Sequence, residues 1–302
     1  MGTNNLRCVA SKAKQGVIAI GATLIALLAT ALPALATEHH PKGDFAPFAD
    51  CPLSNPATNL CIHAQTESGE VVVGNKAVPI SKTVTLQGGA HETGPETQEF
   101  IGAEDGNTLS RTPQNVPGGL ASLVNCNEIG LLLERIACEA VFENGVTGVT
   151  ATTELAAPAS TIGISLQNLV EGEGTALSLP VKIKLDNPLL GSSCYIGSNA
   201  TPIVIDLTTG TTSPPPPNTP IKGKKGHAEF KDEFNLVIVR ENSLVNNSFA
   251  APRAKGCGGL FSFLIDPIIN GKLGLPAASG HNTAILNGTL EDANAPAVTA
   301  SE

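Results

Sequence analysis

The chain has 302 residues, a formal net charge of −9 at pH 7 and 3 % aromatic residues, with a single Tyr and no Trp. An acidic chain lacks the basic surface that DNA, RNA or an anionic membrane attracts, so these partners are not expected. Because aromatic side chains are scarce, the core must be built mainly from Val, Ile, Leu and Ala.

The first segment predicts a signal peptide over residues 1–36. Three basic residues precede an apolar run at 17–32, and Ala34 and Ala36 provide the small residues that signal peptidase requires. A retained anchor is the alternative, but the run is shorter than the roughly 20 apolar residues of a membrane-spanning helix. We expect cleavage between Ala36 and Thr37, and a secreted or cell-envelope-associated product. Cleavage leaves 15 basic and 27 acidic residues, a net charge of −12, and we expect no membrane partner afterwards.

Residues 37–50 predict an extended N-terminal arm ahead of a β-rich domain at 51–302. After cleavage the chain begins Thr37-Glu38-His39. A free α-amine, two backbone amides and the His39 imidazole form the square-planar set that Cu(II) and Ni(II) prefer. We therefore hypothesise a metal site at His39.

The domain opens with strand patterns at 70–73 and 78–86, separated by the turn pair Gly74-Asn75. Residues 90–119 are polar and rich in Gly, Pro and Thr, which predicts a long loop.

One helix is predicted within 120–142, where apolar residues recur at spacings of three and four after a possible N-cap at Asn127. A continuous helix would place Cys126 and Cys138 about 18 Å apart, which exceeds the reach of a disulfide. Either the helix is short and folds back, or these cysteines have other partners. We favour the short helix.

From Val146 onward the chain predicts short strands bounded by Gly, Pro, Asn and Asp, at 148–155, 160–166, 177–185, 202–207, 234–239, 260–265 and 284–290. This density is typical of a mainly β fold, with antiparallel, sandwich-like domains and long loops. The Pro-rich segment at 209–221 is a possible boundary between two domains. A Cys194–Cys257 disulfide would bridge it and favour a surface loop on one domain.

Six cysteines remain after cleavage, and an even number in an exported chain predicts disulfides. Fifteen pairings are possible, and pairing of sequence neighbours is the simplest, although some thiols could instead be free and buried. The predicted pairs are Cys51–Cys61, Cys126–Cys138 and Cys194–Cys257.

No catalytic or cofactor motif is evident, since the sequence lacks G-x-S-x-G, H-E-x-x-H and C-x-x-C. Carboxylates are numerous, but spacing singles out no pair for glycoside hydrolysis. We therefore assign no catalytic residue and expect no cofactor.

Six segments resemble a group of uncharacterised secreted proteins of actinobacteria: FADCP at 48–52, VPGGL at 116–120, LPVKIKL at 179–185, CYIGS at 194–198, PIVIDLTTG at 202–210 and GCGG at 256–259. The resemblance implies export and an extracellular or envelope location, and it implies no activity. We expect a binding or structural role towards an extracellular or cell-wall ligand. The alternative is an extracellular hydrolase of unrecognised type, with carboxylates brought together from distant strands.

Overall fold

The structure is a computed structural model that describes residues 39–94, 97–120, 131–132, 135–136 and 148–302. Its strands are β1 (Leu60–Val73), β2 (Lys76–Pro79), β3 (Val84–Gly94), β4 (Thr97–Gly102), β5 (Gln114–Asn115), β6 (Thr150–Leu155), β7 (Gly163–Ile164), β8 (Leu177–Asp186), β9 (Tyr195–Ile196), β10 (Ile203–Leu207), β11 (His227–Lys231), β12 (Leu236–Asn246), β13 (Ala254–Lys255) and β14 (Thr283–Asn294). Its helices are α1 (Leu166–Glu171), α2 (Ser262–Leu273) and α3 (Ala295–Ala300), with 3-10 turns at Gly43–Phe48, Ala159–Thr161, Asp232–Phe234 and Gly259–Phe261. The predicted mainly antiparallel β fold is confirmed.

Eight of the described strands form a closed hydrogen-bonded ring, which we call the strand circuit. Its order is β1, β3, β4, β7, β8, β10, β12 and β14, and β14 pairs again with β1. The link between β10 and β12 lies just beyond the end of β10, where Thr208 and Val245 exchange backbone hydrogen bonds of 3.0 and 2.8 Å. The circuit therefore encloses an interior towards which one face of every strand is turned.

Alternation along β8 explains why this segment lies in the wall of the circuit. Leu177, Leu179, Val181, Ile183 and Leu185 are buried and belong to the main apolar core. Successive side chains of a strand point to opposite faces, so the intervening positions, which include two lysines, point outward.

A bulge in β1 keeps apolar residues on the inner face along a long strand. Ile62, Ala64 and Thr66 line the interior, and after an irregularity between Thr66 and Ser68 the inner positions become Val71 and Val73. One extra residue reverses the alternation. Opposite the bulge, a side chain at Gly288 would collide with the backbone oxygen of Gln65, so the close approach of β14 requires glycine there.

A second, smaller apolar cluster covers the outer face of β1, β14 and β12. The segment 45–53 and helix α3 pack here, and the buried side chains are Phe48, Cys51, Cys61, Leu236, Ile238, Ala293, Ala295 and Val298. At the edge of the cluster, His39 and Lys42 both contact Glu302. The two ends of the described chain are therefore held together on one side of the circuit.

Two of the predicted disulfides are confirmed. Cys51 is bonded to Cys61, and Cys194 is bonded to Cys257. Cys126 and Cys138 lie outside the described residues, so their predicted pairing stays a prediction. The predicted helix within 120–142 falls mainly on the same undescribed stretch.

The predicted strand at 260–265 is wrong. This segment contains the 3-10 turn Gly259–Phe261 and the start of α2. Ile265, Ile269 and Leu273 are buried at a spacing of four, which places them on one face of a helix. The predicted loop at 90–119 is wrong in part, because β3 continues to Gly94 and pairs with β4.

The Pro-rich segment 209–221 leads from β10 of the circuit to β11, which pairs with β12 of the same circuit. Asn218 fixes it to the body, since its Nδ2 donates to the backbone oxygens of Asn247 (2.9 Å) and Asn282 (3.0 Å).

Candidate functional site

An apolar cavity of about 170 Å³ lies inside the strand circuit. Eleven of the strands and helices α1 and α2 contribute to its wall, and most of the lining side chains are Val, Ile, Leu and Ala. Ile62, Ala64 and Leu86 line it from one side, and Leu179, Leu244 and Leu286 from others. No aromatic side chain lines the cavity, so the apolar part of its wall is aliphatic.

The cavity has almost no charge. Lys76 is the one charged residue among its lining residues, which include no Asp, Glu, His or Cys. An aliphatic cavity of comparable size in other proteins stays dry and accepts small apolar molecules. Left empty, a void of this volume costs about 4 kcal/mol at roughly 24 cal/mol per Å³. An apolar occupant would recover part of that free energy.

The polar lining residues Lys76 and Gln114 are bonded to nearby backbone. The Oε1 of Gln114 accepts hydrogen bonds from the backbone N–H groups of Ser81 (2.9 Å) and Lys82 (3.1 Å), and its Nε2 donates to the backbone oxygen of Lys82 (2.7 Å). Lys76 Nζ donates to the backbone oxygen of Pro117 at 2.5 Å. Gln114 thereby fastens the β2–β3 connection to β5 at the rim of the cavity.

Gln114→Ala is expected to lower the free energy of unfolding by about 1–2 kcal/mol, because three backbone groups lose their partner at once. Urea unfolding measures the change. The exposed neighbour Asn115 provides the control, since Asn115→Ala removes an amide from the same strand and leaves the hydrogen bonds of Gln114 intact. Equal losses in the two variants would contradict this role of Gln114.

The carboxylates that a hydrolase would use do not meet in this cavity. Glu154 Oε2 lies 3.7 Å from Lys182 Nζ, and Asp186 Oδ1 lies 2.7 Å from Lys184 Nζ. Both lysines are on the outward face of β8, so each of these carboxylates is neutralised on the outside of the circuit. Among the described residues, no carboxylate lines the interior void.

Asp292 is a partly buried acid that the sequence did not single out. It lies on β14, opposite Ile62 of β1 and Val237 of β12, on the face turned towards the interior. Burial raises the pKa of Asp292 to about 6, and the charge of Glu92 contributes. The alternation of β14, in which residues 284, 286, 288 and 290 line the cavity, could have located it.

His39 stays a predicted metal ligand. Its Nδ1 lies 2.6 Å from Glu302 Oε1, so a copper or nickel ion would compete with this carboxylate for the imidazole. Thr37, Glu38 and the predicted cleavage site after Ala36 lie outside the described residues. Within the described ranges no group of three or more His, Cys, Asp and Glu side chains could hold a metal ion.

Among the helices that the structure describes, none is both long and apolar enough to cross a membrane. No family model, curated protein or solved structure matches the chain.

Proposed function

We propose that this protein is exported and acts outside the cytoplasm as a binding protein for a small apolar molecule held inside the strand circuit. The aliphatic cavity is the observation that carries the proposal. The signal-peptide pattern at 1–36 and the two disulfides support an oxidising, extracytoplasmic setting. The resemblance to secreted actinobacterial proteins agrees with that location.

The chemistry of the wall defines the class of ligand. Apolar surface, the absence of lining carboxylates and a void of about 170 Å³ suit an uncharged hydrocarbon of about the size of benzene. Binding would be driven by removal of apolar surface from water and by new dispersion contacts with the wall. The acidity of the chain argues against a nucleic acid in this role.

The hydrolase alternative has less support. It requires two carboxylates about 5–10 Å apart beside a substrate pocket. Glu154 and Asp186 are each paired with a lysine on the outer face, and Asp292 is not among the lining residues. We therefore favour binding over hydrolysis.

The variant Ala64→Leu/Ala151→Leu tests the proposal by filling the cavity from two strands of its wall. Benzene at saturating concentration is expected to raise the melting temperature of the wild-type protein, because a ligand that binds only the folded state stabilises it. The filled variant is expected to melt higher than the wild type without benzene and to gain nothing from it. Differential scanning calorimetry with and without benzene measures both effects.

Ala228→Leu is the matched control, since Ala228 is an exposed residue on β11 and does not line the cavity. This control is expected to keep the full response to benzene. If benzene leaves the wild-type melting temperature unchanged, or if the filled variant responds as strongly as the control, the proposal is wrong.

A further inference from the structure

Three large apolar side chains project into solvent at the start of α2. Leu260, Phe261 and Phe263 are 93 %, 59 % and 71 % exposed, respectively, and we call this group the apolar tip. Single exposed apolar residues are ordinary, but adjacent ones of this size usually mark an interaction surface. The cavity and its ligand do not involve these residues.

A disulfide and two hydrogen bonds fix the backbone just before the apolar tip. Cys257 is tied to Cys194. The carboxylate of Asp266 accepts hydrogen bonds from the backbone N–H groups of Gly256 (3.1 Å) and Cys257 (2.7 Å). Gly258 has a φ of 82°, and a side chain there would strike Ile265. Exposure of the tip is therefore a property of the folded structure.

The charged residues just before the apolar tip in the chain are basic, although the protein as a whole is acidic. Arg253 and Lys255 are exposed just before the tip, and no acidic residue occurs between Glu241 and Asp266. Asp266 is occupied with backbone N–H groups. On nearby β8, Asp186 is paired with Lys184. Because charges are screened beyond about 8–10 Å at physiological salt, acidic residues farther from the tip than that do little to offset these two cations.

A second exposed aromatic pair provides a contrast within the same molecule. Phe230 and Phe234 are 59 % and 73 % exposed, and their ring centroids lie 5.4 Å apart. The exposed acids Asp232 and Glu233 flank them, and a third, Glu229, is paired with Arg240. The two apolar surfaces are therefore similar in residue type and exposure but opposite in local charge.

We infer that the apolar tip docks the protein onto the surface of an anionic lipid bilayer. Leu260, Phe261 and Phe263 would enter the boundary between headgroups and acyl chains, where such side chains are favourable. Arg253 and Lys255 would lie at the level of the lipid phosphates and add electrostatic attraction. Docking of this kind needs no membrane-spanning helix. The net charge alone predicts that the chain does not bind an anionic membrane. The basic residues beside the tip refine that prediction, because their charge is opposite in sign to the net charge of the chain.

Co-sedimentation with vesicles tests the inference. Vesicles of phosphatidylglycerol and phosphatidylcholine in equal parts are compared with pure phosphatidylcholine vesicles at 0.1 M salt. The tip variant is Leu260→Ser/Phe261→Ser/Phe263→Ser, and the matched control is Phe230→Ser/Phe234→Ser. Wild type and control are expected to bind the anionic vesicles alike, and the tip variant at least tenfold more weakly. Arg253→Gln/Lys255→Gln is expected to weaken binding to the anionic vesicles alone.

The substituted tip side chains are exposed, and Ser at position 261 is a favourable N-cap for α2, so unfolding in urea is expected to be unchanged. Equal binding by the tip variant and the wild type would overturn the inference. The inference would also be wrong if the wild-type protein does not bind the vesicles but forms a dimer that the tip variant does not form. Light scattering of the wild type and the tip variant measures this. The response to benzene is independent of either result.

Discussion

Replacing Cys194 and Cys257 together by alanine is expected to lower the free energy of unfolding by about 4 kcal/mol. The disulfide closes a loop of 63 residues, and for a loop of that length the chain-entropy estimate is about 4 kcal/mol. Both cysteines are fully buried in the main core, so their loss also disturbs packing. Urea unfolding under non-reducing conditions measures the difference from wild type.

The other described disulfide supplies the comparison. Cys51 and Cys61 close a loop of only 10 residues, for which the same estimate is about 3 kcal/mol. Alanine substitution of that pair is expected to cost less than substitution of Cys194 and Cys257. A larger loss for the Cys51–Cys61 pair would contradict the view that a disulfide stabilises this protein mainly by constraining its unfolded chain.

Asp292→Asn is expected to stabilise the protein by about 2–3 kcal/mol at pH 7.5 and to have little effect near pH 3.5. Burial holds the pKa of Asp292 at about 6 in the folded state, above its ordinary value of 3.8. One pKa unit corresponds to 1.36 kcal/mol. The stability that this carboxyl contributes is fully present below about pH 4 and is lost as the pH rises through about 6. Asparagine carries no charge and removes this penalty.

Urea unfolding of wild type and Asp292→Asn between pH 3.5 and 8 measures the predicted divergence. Glu173→Gln is the control, since Glu173 is an exposed acid in the loop after α1. The control is expected to have the same free energy of unfolding as the wild type at every pH. If the free energies of unfolding of Asp292→Asn and wild type differ by the same amount at every pH in this range, the charge of Asp292 is not the cause of the difference.

The sequence predicted those features of the fold that depend on local patterns. The alternation between 179 and 185 predicted β8, because a half-buried strand requires a period of two. The pairing of neighbouring cysteines proved right for Cys51–Cys61 and Cys194–Cys257. In both cases the signal lies within a short stretch of chain or in the order of a few residues.

The segment at 260–265 shows where local pattern was insufficient. Its short apolar run is compatible with either a strand or a helix, and periodicity over six residues does not separate the two. The helix becomes evident when Ile269, Asn270 and Leu273 are included, because their buried positions continue the helical spacing. The Asn270 side chain also bonds both backbone groups of Ala254, a long-range anchor that no local pattern reveals.

The cavity could not be predicted from the sequence. Inward-facing Val, Ile and Leu have the same alternation whether they fill a core or line a void, and the difference lies in how far apart the strands stand. That separation follows from the closed circuit, which depends on pairing between residues as distant as Thr208 and Val245. Asp292 was missed for a related reason, since its burial depends on its neighbours Ile62 and Val237 rather than on adjacent residues.

β14 follows all the other described strands along the chain, yet it lies between β1 and β12. Until it is in place, the facing edges of those two strands present unpaired backbone N–H and C=O groups. A nascent chain that ends before residue 283 can therefore neither seal its interior nor protect its two longest edges. A chain truncated before β14 is therefore expected to aggregate, and completion of the fold requires the segment 283–294.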